Sequence, residues 1–220
     1  MGRKVQPNSY RLGVIKGWES KWFSPKDASR WLEEDEKIRE VIMKKISQAG
    51  IARIEIERLS DRYRILIKAS RPGLIIGRGG KGIEELTKAI EKIMRSKVGL
   101  SLNKVGLSLN VEELKRTELS AQVAAQNIAW DLERRMLFRR TAKKHLDSYF
   151  QHREIQGARI QLAGRLNGAE IARREVFSRG KLPLSTLRAN IDYGEATAFG
   201  SYGTVGVKVW IYTGEVFNKK

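Results

Sequence analysis

Residues 77–82, Gly77-Arg78-Gly79-Gly80-Lys81-Gly82, hold four glycines in six positions and constrain the fold more than any other stretch of the chain. A run with so little side chain cannot carry a regular helix or strand through it. The apolar spacing on both sides of it is helical. Pro72 fits the first turn of a short helix that Gly77 would end, and Ile83, Leu86, Ile90, Ile93 and Met94 recur at three- and four-residue intervals. The segment therefore reads as two helices joined by a glycine loop.

The flanking elements extend this unit. From Asp35, Ile38, Val41, Ile42, Ile46 and Ala49 recur at helical spacing, and Gly50 stands where a left-handed stop is wanted. Ile54 and Ile56 then alternate with Glu55 and Glu57. After a Ser60-Asp61 turn, Tyr63, Ile65 and Ile67 alternate with Arg62, Arg64 and Lys68. A last strand is readable in Val105, Leu107, Leu109 and Val111. The expected order is helix, strand, strand, helix, helix, strand.

In the second half, Thr117 is the expected N-cap of one long helix in which Val123, Ala124, Ile128, Leu132 and Met136 line a face and which continues toward Phe150. Beyond it the period becomes two. Ile160 and Leu162 lead to Asn167-Gly168, a strong hairpin signal, and Ala189, Ile191 and Tyr193, then Val205, Val207, Val209 and Ile211, alternate with small or polar partners. The fold class expected is α+β in two domains. A basic arm is expected over 1–16, mixing Arg3, Lys4 and Arg11 with no clean period. The glycine-loop domain follows over 17–112, and an antiparallel sheet packed on helices over 113–220.

Charge narrows the partner. The formal net charge is +18, from 43 Lys and Arg against 25 Asp and Glu, which suits a polyanion. With 41% apolar residues and 4 Pro the chain folds rather than staying disordered. It has no cysteine, which excludes disulfides, zinc knuckles and thiol nucleophiles and suits a reducing compartment, cytoplasm by default. Apolar runs such as Leu74-Ile75-Ile76 are far short of the roughly 20 residues that cross a bilayer, so no membrane partner and no targeting segment are expected.

Three patterns compete for the glycine loop. A P-loop needs Lys and then Ser or Thr directly after its last glycine, but Gly82 is followed by Ile83 and Glu84. A dinucleotide fingerprint is formally met by Gly77, Gly79 and Gly82, but no acidic residue answers it over 99–105. The third is the GXXG loop of a KH module, Gly77-Arg78-Gly79-Gly80 between two helices. There, glycines let the backbone approach phosphates, while helix N-terminal amides and Arg78 and Lys81 supply positive charge. A ligand-free interhelical turn is the plainer alternative, and the surrounding element order favours the KH reading.

A second candidate lies at Phe138. At about 100° per residue, Phe138, Ala142, His145 and Tyr149 share one side of a helix, and Arg139, Arg140, Lys143 and Lys144 the other. Solvated faces usually mix Glu with Lys, but this one has no acid between Arg139 and His145, so a bound polyanion is the better explanation. His145 and His152 are the only histidines and form no metal site with a carboxylate pair. Trp130 and Trp210 are expected in packing rather than base stacking. No nucleophile elbow, zinc-protease motif or cofactor site appears, and no enzymatic activity is expected.

Several separate motifs, in order, resemble the family of ribosomal small-subunit protein three, of bacterial and organellar type. They include Met1-Gly2-Arg3-Lys4-Val5-Gln6-Pro7, Tyr10-Arg11-Leu12-Gly13, Ile51 through Arg58, and Arg71-Pro72-Gly73 through Gly80. In the second half they include Phe138-Arg139-Arg140, Gly164 through Arg173, and Tyr202 through Ile211. The resemblance implies a type II KH domain followed by a second α/β domain, assembled on rRNA in the head of the small subunit. It implies small-subunit proteins ten and fourteen as neighbours, and a place at the entrance of the mRNA channel beside proteins four and five. There, residues matching Arg139, Arg140 and Lys143 would face incoming mRNA and help open its helices. Arg3, Lys4, Arg11, Arg165 and Arg173 are the expected rRNA contacts. The alternatives are a nucleotide-binding enzyme using the glycine loop and a free KH-type regulator of mRNA.

Overall fold

The structure is a computed structural model that describes residues 4–59, 62–97, 106–114 and 120–217. The chain divides into two units, Trp18–Lys115 and a second formed by Arg116–Lys220 together with Met1–Gly17. The N-terminal segment is thus not a separate arm: it groups with the far end of the chain.

In the first unit, strand β1 (Ser20–Lys21) is followed by α2 (Ala28–Lys45), a 3-10 turn (Ser47–Ala49), β2 (Ile51–Arg58) and β3 (Arg62–Ala69). Then come α3 (Pro72–Ile76), a 3-10 turn (Arg78–Gly80), α4 (Lys81–Lys97) and β4 (Gly106–Glu113). Helix α1 (Pro7–Tyr10) precedes these in the chain. The sheet order is β1-β2-β3-β4, with β2 antiparallel to β3 and β4 parallel to β3. That is the expected helix-strand-strand-helix-helix-strand order. The Ser60-Asp61 turn and Val105 lie outside the described residues.

Alternation explains the core of this unit. Ile54 and Ile56 of β2 and Ile65 and Ile67 of β3 point to one face and meet Ile38 and Ile42 of α2 and Leu86 and Ile90 of α4, all at 5% exposure or less. Gly50 ends the first helical stretch with φ +65°, as its position predicted. Helix α2 starts at Ala28, seven residues before the start expected from apolar spacing. Its first turns are held instead by polar burial. Arg58 donates through Nε to Asp35 at 3.0 Å, through Nη1 to Glu34 at 2.8 Å and through Nη2 to the Trp31 carbonyl at 2.9 Å; Trp22 Nε1 donates to Asp35 at 2.8 Å. Burial works against the Arg58 charge, but its hydrogen bonds to Asp35 and Glu34 outweigh it and hold its pKa above the ordinary arginine value.

The second unit is a four-stranded antiparallel sheet of order β6-β5-β8-β7, built from β5 (Gly157–Gly164), β6 (Arg173–Gly180), β7 (Ala189–Gly200) and β8 (Gly203–Glu215). One face carries α5 (Ala121–Glu133) and α6 (Phe138–Phe150), whose Ala124, Ile128, Phe138, Ala142 and Tyr149 pack with Ile160, Leu162, Val207, Val209 and Ile211. The single long helix expected toward Phe150 is therefore two helices. The chain breaks at Arg135, which takes φ +62° although it is not glycine, and which neither Gly nor Pro announces. Thr117 lies outside the described residues. The N-cap position of α5 is Ser120, and the first free amide, Ala121 N, donates to Asp192 of β7 at 2.7 Å.

Strands β5 and β6 form the hairpin that Asn167-Gly168 announced, with Asn167 at φ +55° and Gly168 at φ +78°. The connection runs from Arg165 to Ala172 and includes a 3-10 turn, so it is longer than a two-residue hairpin. Strand β6 itself escaped sequence analysis, because an edge strand reading Arg173-Arg174-Glu175-Val176-Phe177 is half-exposed on both faces.

Candidate nucleic-acid interface

Four cations of α6 sit where helical periodicity put them. Arg139, Arg140, Lys143 and Lys144 are exposed, and Phe138, Thr141, Ala142, Leu146 and Tyr149 are buried on the opposite side. The apolar stripe anchors the helix on β5 and β6, which fixes the cationic face outward. Strand β6 borders that face. Glu175 accepts from Arg139 through both its oxygens, at 3.3 and 3.2 Å, and forms an ion pair with Arg173 Nε at 3.3 Å. The Glu175 hydrogen bonds hold the exposed Arg139 above its ordinary pKa, so it stays cationic at any working pH. Both guanidinium carbons lie 5.5 Å from the Phe138 ring centre. Arg173, expected as a separate contact, is thus part of the α6 surface. Among the described residues, Arg140, Lys143 and Lys144 have no carboxylate within ion-pair distance, so one acid serves five cations.

His145 is not simply packed on the apolar stripe, as expected. It hydrogen-bonds Asp131 of α5 at 3.0 Å and lies 6.1 Å from the Tyr149 ring, joining the two helices across their break. Among the described residues no group of three His, Asp or Glu is arranged to hold a metal ion.

The glycine loop has the expected geometry. Helix α3 ends at Gly77 (φ +70°), Gly79 and Gly80 have φ +63° and +78°, and α4 begins at Lys81. Arg78 and Lys81 are exposed at the start of α4, where the helix dipole adds to their positive charge. Gly82 serves packing. A Cβ there would lie 2.4 Å from the Ile75 carbonyl oxygen, so glycine alone lets α4 start against the last turn of α3.

The N-terminal residues divide. Lys4 is exposed, and Arg3 lies outside the described residues. Arg11 is 0% exposed and is no surface cation. Its guanidinium donates to the carbonyls of Ala189 at 2.7 Å, Pro7 at 3.1 Å, Leu184 at 2.9 Å, Thr186 at 2.9 Å and Pro183 at 3.4 Å. Burial pushes its pKa below the ordinary value, with Tyr10 opposing. The expected RNA contact at Arg11 is therefore replaced by a structural role, because the side chain is buried and all three guanidinium nitrogens donate to backbone carbonyls. Lys16 continues this anchoring through a 2.9 Å ion pair with Asp192. Arg165 is also half structural, donating Nε to the Ala169 carbonyl at 2.9 Å and Nη1 to the Tyr202 carbonyl at 3.1 Å.

Comparison with known proteins follows the same division. The family model of the KH domain matches residues 37–119, and that of the ribosomal protein S3 C-terminal domain matches residues 128–211. A KH unit followed by this second domain defines a class of RNA-binding ribosomal proteins that are structural and non-enzymatic. The chain is 47% identical over 216 residues to small ribosomal subunit protein uS3 of Anaeromyxobacter dehalogenans, covering 98% of this chain and 92% of that one. It is 48% identical over 217 residues to the protein of that name from Desulforamulus reducens, covering 98% and 94%. With Desulfitobacterium hafniense the identity is 44% over 220 residues, covering 100% and 96%. The chain belongs to the uS3 family of small ribosomal subunit proteins. Among the described residues no helix is long and apolar enough to cross a membrane.

Proposed function

We propose that this chain is built into the head of the small ribosomal subunit on rRNA, in the cytoplasm, and that α6 faces mRNA at the entrance of its channel. Its cations there help to open helices in the incoming message. The observation that carries this reading is the one-sidedness of α6: Arg139, Arg140, Lys143 and Lys144 exposed together, with Glu175, among the described residues, the one acid paired with them. Such a field is satisfied by phosphates, which the helix holds without any bond being made or broken. Arg78 and Lys81 at the glycine loop, with Lys4, Arg165 and, on sequence grounds, Arg3, form the rRNA contacts, while Arg173 joins the α6 surface. Small-subunit proteins ten and fourteen are the expected neighbours in the head, with four and five near the channel entrance.

Translation assays test the α6 reading. Replacing Arg139, Arg140 and Lys143 by Ala should leave the fold intact, lower translation of messages with stable helices near the start site, and spare unstructured ones. Equal activity on both kinds of message would sink it. Sucrose-gradient sedimentation after a moderate salt wash separates a subunit component, which stays with small subunits, from a free regulator of mRNA, which does not.

A further inference from the structure

Beside α6, three connections of the second unit converge on a cleft of about 480 Å³. They are the α5–α6 break, the Arg165–Gly168 turn and the tip of the β7–β8 hairpin. Its mouth is apolar and open: Leu137 is 60% exposed, Phe199 71% and Tyr202 65%. On a chain of this charge such a patch marks a contact surface rather than chance.

The tip that carries the two rings is fixed from below. Phe199 N donates to Glu133 at 3.0 Å, and Arg165 Nη1 donates to the Tyr202 carbonyl at 3.1 Å. The Arg165 guanidinium lies 5.9 Å from the Tyr202 ring centre. Gly168 makes room: a Cβ there would come within 3.1 Å of the Tyr202 ring, in a backbone conformation with φ +78°. The rings are therefore presented by a rigid frame, which lowers the entropy lost on binding.

The surroundings select the occupant. Arg135 lines the cleft, and so does Phe138, over whose ring Arg139 and Arg173 stand. The cationic face of α6 thus begins at the edge of the cleft. An apolar peptide would gain nothing from these charges, whereas an RNA strand supplies both phosphates for the arginines and flat bases for the rings. A duplex buries its base faces, so only an unpaired stretch fits.

We infer that this cleft is a stacking subsite for an unpaired nucleobase of the RNA strand held on α6, with Tyr202 and Phe199 as the stacking surfaces. The inference rests on the reading of α6 as an RNA-contacting face.

Anisotropy titration of the full chain with a labelled single-stranded RNA, and with the same strand made abasic, tests it. The Phe199→Ala/Tyr202→Ala variant should bind the intact strand about 5- to 100-fold more weakly. Its salt dependence should not change, and its affinity for the abasic strand should match that of the parent. Tyr202→Trp should restore binding to the intact strand. If the double variant melts early, Tyr202→Leu, which keeps bulk without an aromatic face, should show the same selective loss. Unchanged affinity for the intact strand, or an equal loss on both strands, overturns the stacking subsite. So does a variant that fails only to enter small subunits, since that outcome assigns the cleft to a protein. Arg139→Ala/Arg140→Ala reports on α6 separately: if it weakens neither strand, the underlying reading of the helix falls, whatever the rings do.

Discussion

Arg11 and Arg139 are both motif arginines in a strongly basic chain, and the fold puts them to opposite uses. Arg11 is sealed under the loop that leads into β7 and spends its donors on five backbone carbonyls. Arg139 stands in solvent, shares one carboxylate with Arg173 and continues into three further cations of α6. A third arrangement lies on the outer face of the KH sheet, where Lys21, Arg53, Arg64 and Lys68 interleave with Glu55, Glu57 and Glu112 at 3.0 to 4.0 Å. Formal charge in a sequence is thus not surface field. What matters is whether the fold itself supplies the acceptors, and on α6 it withholds them from Arg140, Lys143 and Lys144.

The largest test breaks the buried member. Arg11→Met removes a guanidinium and leaves a cluster of inward carbonyls without donors, which should lower the stability of the second unit by about 3–5 kcal/mol. Urea unfolding followed at Trp210 would show the loss, while the KH unit, reported by Trp22 and Trp31, unfolds at its parental midpoint. Arg11→Lys should recover little, because one ammonium cannot reproduce the planar fork. A parental midpoint for Arg11→Met would mean that the carbonyls rehydrate, and that Arg11 belongs with the surface cations after all.

Next in size is the loss on α6. Removing Arg139, Arg140 and Lys143 together should change stability by no more than about 0.5 kcal/mol, as for other surface sites. It should weaken single-stranded RNA binding on the order of 10- to 100-fold at low salt and reduce the salt slope by about 2, at roughly 0.7 per phosphate released. An unchanged slope would show that these cations meet no phosphate.

A smaller effect of opposite sign is expected at Glu175. Glu175→Gln frees Arg139 and Arg173 from their shared anion, with little effect on stability because the pair is solvent-screened. RNA affinity should rise about two- to threefold at low salt and return to the parental value as salt screens the field. A fall in affinity would show that Glu175 acts by orienting Arg139 and not by neutralising it.

Much of this was legible in the residues, for identifiable reasons. Gly50, Pro72 and Gly77 have backbone requirements that few other residues meet, so they marked their turns correctly, and the strict alternation of Ile54, Ile56, Ile65 and Ile67 marked a one-sided sheet. The α6 face was readable because one helical period separates its cations from its core. The break at Arg135 was not, since nothing local favours φ +62° there. Nor was the burial of Arg11, whose acceptors lie mostly between Pro183 and Ala189, far along the chain. Local pattern shows which way a side chain faces within its element. It does not show what distant backbone will cover it.

The weakest expected effect is the most diagnostic for the comparison. Lys21→Gln with Lys68→Gln removes two cations from the KH sheet face, as many as an Arg139/Arg140 variant removes from α6. Because Glu55, Glu57 and Glu112 already neutralise that face, RNA affinity and salt slope should stay at the parental values. The ladder should respond instead to pH. Hydrogen bonding to Lys21 holds Glu57 below the ordinary carboxylate value, so its contribution to stability is present above that value and is lost as pH falls through the lowered one. Lys21 is held above the ordinary lysine value by Glu57 and Glu55, so its contribution is complete below that value and is lost only as pH rises past the raised one. Stability of the double variant should therefore fall less than that of the parent as pH drops from the ordinary carboxylate value through the lowered one, with RNA binding unaffected at pH 7. If removing these two cations weakened RNA binding as much as removing two from α6, local neutralisation would not be what separates the two surfaces, and net charge alone would account for binding.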